Sequence, residues 1–114
     1  MSERNDLPTG RQEKLNNLVR ELSATFLGKE NNKTSLITVT SASISPDLKK
    51  ATIYITVLPL NNETAALGFV KRHRGELREF LKKNMQTKAV PFIDVEIDKG
   101  EKNRQKIDEL LREK

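Results

Sequence analysis

Near the start of the chain Leu15, Leu18, Val19, Leu22 and Phe26 recur at three- and four-residue spacing, so they share one side of a helical wheel. That period predicts a helix from Gly10 to about Leu27, opened by Thr9 or the Pro8-containing stretch before it and ended by Gly28. The polar run from Lys29 to Lys33 reads as a loop. From Ser35 to Ile44, and again from Ala51, β-branched residues take over, and Ser45-Pro46-Asp47 between them predicts two antiparallel strands joined by a short turn. In the second run Ala51, Ile53, Ile55 and Val57 alternate with Thr52, Tyr54 and Thr56, the pattern of a sheet buried on one side. Pro59 ends it.

Beyond Pro59 the period returns to that of a helix. Asn61 or Asn62 is placed to cap a stretch through Ala65, Ala66, Phe69 and Val70 toward His73, where Gly75 interrupts it. Leu77, Phe80, Leu81 and Met85 repeat the spacing, which fits one kinked helix or two helices meeting at Gly75. After Pro91 a short, half-exposed strand sets Ile93, Val95 and Ile97 against Asp94, Glu96 and Asp98. The tail beyond Gly100 gathers Ile107, Leu110 and Leu111 on one side of a short amphipathic helix. The order is α-β-β-α-α-β plus a tail, an α+β domain in which three helices cover one face of a three-stranded sheet, matching the type II K-homology topology. The expected organisation is a flexible N-terminus over 1–9, a K-homology-like domain over 10–99 and a short amphipathic tail over 100–114.

A length of 114 residues suits one hydrophobic core, and with 35% of residues apolar and 32% charged that core must be thin. There is no cysteine, which removes thiolate chemistry and suits a reducing compartment. No segment resembles a signal peptide or the ~20 apolar residues of a spanning helix. The expectation is a cytoplasmic protein without a membrane partner.

Charge is unevenly spread. Between Lys71 and Lys88 seven bases (Lys71, Arg72, Arg74, Arg78, Lys82, Lys83 and Lys88) face two acids, Glu76 and Glu79, which accounts for the whole net charge of +5. Lysines and arginines displayed along a helix neutralise phosphates and release counterions. A helix starting at Gly75 adds its positive dipole end and free amides to Arg72, His73 and Arg74. The bland alternative is a solvated face with ion pairs such as Glu79 with Lys83; the interruption at Gly75 favours the phosphate reading. His73 is the single histidine, so neither a metal site nor a nucleophile–base pair is easily assembled, and surface exposure or an RNA contact is expected instead. Asp94, Glu96 and Asp98 could gather a hard cation, but acids alternating with apolar residues are what an exposed strand needs for solubility. Nothing calls for a cofactor or catalysis. Tyr54 is the one aromatic placed on the open sheet face, so shape and phosphate contacts are expected to outweigh base stacking.

The stretch Ile37 to Pro59, with its turn Ser45-Pro46-Asp47-Leu48-Lys49-Lys50 before Ala51, resembles the two-strand signature of the ribosome-binding factor A family. Gly75-Glu76-Leu77-Arg78 followed by Val90-Pro91 and a strand ending at Asp98 is similar to that family's Gly-x-x-Arg helix and Val-Pro strand, and Ile107 to Leu111 to its final apolar turn. The resemblance covers most of the chain from about Gly10. It implies a type II K-homology fold in which an interrupted Ala-x-Gly helix-kink-helix replaces the usual GxxG. The matching triplet is His73-Arg74-Gly75, with His where the family has Ala. Ala66-Leu67-Gly68 fits the pattern literally but leaves a long segment before Val90-Pro91.

The resemblance further implies a monomeric, non-enzymatic factor that binds the immature small ribosomal subunit and its ribosomal RNA. It would assist late maturation, including handling of the precursor's 5′ end, alongside other assembly factors such as a GTPase. The competing reading is a protein-interaction module that docks on another assembly factor through its sheet face or C-terminal helix.

Overall fold

The computed structural model describes residues 10–30, 35–85 and 90–112. Its elements run α1 (Gly10–Glu30), β1 (Leu36–Ile44), β2 (Lys50–Leu58), a 3-10 turn (Leu60–Asn62), α2 (Glu63–Arg72), α3 (Arg74–Asn84), β3 (Phe92–Ile97) and α4 (Lys99–Arg112). The expected order is met. The sheet order is β1-β2-β3, with β1 antiparallel and β3 parallel to the central β2. A parallel neighbour requires a crossover, which α2 and α3 supply.

Burial follows the alternation read from the sequence. Ala51, Ile53, Ile55 and Val57 of β2 join Val39, Ala42 and Ile44 of β1 and Ile93 and Val95 of β3 on the covered face. α1 lies over β1 and against α3, while α2 and α3 cover β2 and β3. Val19, Phe26 and Leu27 of α1, Ala66 and Val70 of α2, and Leu77 and Leu81 of α3 complete the core. On the opposite face Thr56 is buried as well.

Three boundaries differ from expectation. α1 runs through Gly28 to Glu30, so Gly28 does not end it and Lys29 and Glu30 are helical. Phe26 and Leu27 just before it are anchored in the core, which outweighs the roughly 1 kcal/mol that a helical glycine costs. Asn62 holds the N-cap position of α2 without a side-chain cap hydrogen bond, because the preceding residues already turn as a 3-10 helix. α4 begins at Lys99 and contains Gly100.

Hydrogen bonds fix how α1 and α4 meet the sheet. Gln12 Nε2 donates to the Ile44 carbonyl at 2.9 Å and Asn16 Oδ1 accepts from the Ile44 amide at 2.8 Å, so two amides one helical turn apart clamp the end of β1. A bulge at Thr40 breaks the register between Val39 and Ser41, and the Thr40 hydroxyl lies 2.5 Å from Asp98 Oδ2. Asp98 Oδ1 accepts the Glu101 amide at 3.0 Å and thereby caps α4. These bonds hold the Asp98 carboxyl below its ordinary value, the Thr40 hydroxyl contributing most, then the Glu101 amide. The turn between β1 and β2 is bound similarly. Asp47 Oδ1 accepts from the Ser45 hydroxyl at 2.6 Å and the Lys49 amide at 3.0 Å, and Leu48 sits in the left-handed region at φ 62°.

Candidate nucleic-acid interface

The junction of α2 and α3 carries most of the bases. It falls at His73 (φ −98°, ψ 10°), and α3 opens at Arg74, so the break lies two residues before Gly75. Gly75 is an ordinary helical residue with open space where a Cβ would stand. The interruption is therefore made by His73. Its amide donates to the Val70 carbonyl at 3.0 Å, its carbonyl accepts from Leu77 at 2.9 Å, and its Nδ1 lies 2.8 Å from the Phe69 carbonyl. A carbonyl can only accept, so Nδ1 carries the proton in that bond. The imidazole also packs on the Phe69 ring, centroids 4.3 Å apart, and is half-buried rather than a projecting surface group. Ala66-Leu67-Gly68 lies inside α2.

The other bases divide into two groups. Lys71, Arg72, Lys82 and Lys83 are exposed, and among the described residues they make one long ion pair, 4.0 Å between Lys82 and Glu79. Arg74 and Arg78 are half-buried and committed to the protein. Arg74 Nε donates to the Lys71 carbonyl at 3.1 Å, and its Nη1 lies 3.5 Å from Asp94. Arg78 donates through Nη2 to the Val90 carbonyl at 3.0 Å and through Nε to the Pro91 carbonyl at 3.3 Å. The Gly-x-x-Arg and Val-Pro segments are thus two halves of one contact, which ties α3 to the entry of β3. Lys88 lies outside the described residues.

The three acids do not gather. Asp94 faces Arg74 and, at 4.0 Å, Lys50; Asp98 caps α4; Glu96 is exposed. Among the described residues no cluster of three or more potential metal ligands occurs.

Two further residues stand at the site that the basic stretch and the strand pattern do not point to. Phe92 is 60% exposed and shares the face of Tyr54, since Lys50, Thr52 and Tyr54 pair in register with Phe92, Asp94 and Glu96. Tyr54 is therefore not the lone aromatic there, and extending the alternation of β3 back by one residue would have placed Phe92. Lys50, its partner in β2, adds a cation from outside the basic stretch. A cleft of about 250 Å³ lies between the helix junction and β3, lined by Lys71, Arg74, Gly75, Arg78, Phe92 and Ile93.

Residues 11–111 match the family model described as ribosome-binding factor A. The ribosome-binding factor A of Rhodopseudomonas palustris is 31% identical over 96% of this chain and 88% of its own. Among solved structures, the crystal structure of ribosome-binding factor A from Thermus thermophilus superposes with a TM-score of 0.69 at 17% identity, over 75% of this chain and 94% of that one. A homology model of the Thermus thermophilus factor, fitted into a cryo-EM map of its complex with the 30S subunit, gives 0.63 at 17% identity over 70% and 87%.

Proposed function

The chain belongs to the ribosome-binding factor A family, and from that membership we propose that it binds the immature small ribosomal subunit through its ribosomal RNA and assists late maturation, including processing of the precursor's 5′ end. The observation that carries this reading is the exposed cationic ridge of Lys71, Arg72, Lys82 and Lys83 along α2 and α3. These side chains reach phosphates at little cost, because they leave few internal bonds behind. Arg74 and Arg78 instead hold the ridge in place, fixing the helix junction to β3. The relative seen with the 30S subunit has the same fold, which supports the choice of particle.

No catalytic step belongs to this function. Binding holds one RNA conformation in preference to another, and the shift in population equals the difference in affinity for the two. The test is a triple charge reversal, Lys71→Glu, Arg72→Glu and Lys83→Glu. It is expected to abolish binding to isolated small subunits while leaving the thermal melt within about 0.5 kcal/mol of the parent, the usual range for surface changes. Retained binding would refute the reading.

A second reading draws on α4, where Ile107, Leu110 and Leu111 are 57%, 56% and 63% exposed. An apolar stripe of this kind suits docking on another assembly protein. Binding of that sort is little affected by salt, whereas phosphate binding weakens steeply.

A further inference from the structure

Phe92 is anchored by its backbone and free at its ring. Its amide donates to the Lys49 carbonyl at 2.9 Å, it pairs with Lys50 in the ladder, and the next residue, Ile93, is buried in the core. The ring cannot turn inward without flipping the whole strand. It is presented to solvent at 60% exposure, so most of the stabilisation that burying a phenyl ring supplies is forgone. Lys50 of β2 is its partner in the ladder, and Lys71 lines the same cleft from the helix junction, where Arg74 and Arg78 are held by their own protein contacts.

We propose that Phe92, Lys50 and Lys71 form a stacking subsite for one unpaired nucleotide of single-stranded RNA. The inference rests on the RNA-binding function proposed above and adds the kind of RNA feature that is held. A nucleotide brings together the two things this spot offers to bind, a flat π face and an adjacent phosphate. An apolar protein segment would match the ring but not the surrounding lysines. Asp94, the carboxylate beside the site, is opposed by Arg74 at 3.5 Å and Lys50 at 4.0 Å, so its charge is offset locally. The cleft of about 250 Å³ is smaller than the ~300–1,000 Å³ of sites for drug-sized ligands, which suits a single base. Its lining is cationic and apolar, so the base is held by its face and the subsite tolerates any of the four bases.

The experiment uses the full chain and a short single-stranded oligoribonucleotide carrying 2-aminopurine, with isolated small subunits as a second ligand. The parent protein is expected to quench the fluorescent base on binding. Phe92→Ala should lose the quench and weaken oligonucleotide binding roughly 5- to 150-fold, the range that stacking one base on an aromatic ring is worth. Phe92→Tyr should restore both, Phe92→Leu should not restore the quench, and all three should melt as the parent does. Oligonucleotide binding by Phe92→Ala equal to that of the parent would overturn the subsite. If that variant loses affinity for small subunits but not for the oligonucleotide, the ring meets a ribosomal protein and the subsite is again overturned. Failure of the parent to bind the oligonucleotide while it still binds small subunits removes the subsite alone. Failure to bind either ligand removes the proposed function with it.

Discussion

Arg78 separates a structural cation from those proposed to bind RNA most sharply. It lies in the basic stretch and lines the cleft, yet its guanidinium donates to the Val90 and Pro91 carbonyls at 3.0 and 3.3 Å, and both of those residues are buried. Arg78→Ala leaves two carbonyls at the entry of β3 without their donor. Hydrogen bonds from a charged group contribute about 1.5–3 kcal/mol each, and the 3.3 Å bond belongs at the lower end. The expected loss is about 3–4.5 kcal/mol, which at roughly 4 °C per kcal/mol for a domain of this size lowers Tm by about 12–18 °C. Urea unfolding with an unchanged m-value would show that the loss is one of stability. Lys82→Ala, one turn further along α3 and exposed, should fall within about 0.5 kcal/mol of the parent. A loss below about 0.5 kcal/mol for Arg78→Ala would mean that the two carbonyl contacts contribute nothing, and would return Arg78 to the phosphate-binding set.

Other expectations concern stability and pH. Ser23 is fully buried and its Oγ has no hydrogen-bond partner among the described residues, so Ser23→Ala should raise stability by about 1 kcal/mol in a denaturant melt; a lower midpoint would show that the hydroxyl has a stabilising role. Leu48 at φ 62° is strained as an L-residue, and Leu48→Gly should stabilise by about 0.5 kcal/mol after the entropy cost of glycine, whereas a fall in Tm would show that the leucine side chain contributes more than its backbone costs. The Asp98 carboxyl is held below 3.8, first by the Thr40 hydroxyl and then by the Glu101 amide. Its stabilisation is thus fully present above 3.8 and is lost as pH falls through the lowered folded value. Thr40→Val should raise the pH at which the Asp98 carboxyl titrates in an NMR titration; an unmoved midpoint would sink that assignment.

Alternation and period, being local, made much of this fold legible. The pairing of Ala51, Ile53, Ile55 and Val57 with the covered face, the three strands and the two helices between the second and third follow from residues a few positions apart. Long-range contacts were not legible. Arg78 reads as one more base until the Val90 and Pro91 carbonyls, 12 and 13 residues away, are brought to it. Asp98 reads as a solubilising acid until Thr40, 58 residues earlier, is placed on it by a bulge. Gly75 draws the expected break because glycine signals permission to bend, while the bend itself comes from the backbone of His73 and its latch to Phe69. Phe92 was within reach of the same alternation that found Ile93 and Asp94, but the proline before it drew the boundary one residue late.

The central claim, salt-sensitive binding of the small subunit through RNA, is tested most directly by co-sedimentation of the protein with isolated small subunits, large subunits and joined ribosomes. If Lys71, Arg72, Lys82 and Lys83 each meet one phosphate, affinity for the free small subunit should fall roughly 50- to 150-fold between about 50 and about 200 mM salt. Selective binding to the free small subunit with that dependence is the expected result. Equal binding to all three particles, or binding indifferent to salt, would contradict it.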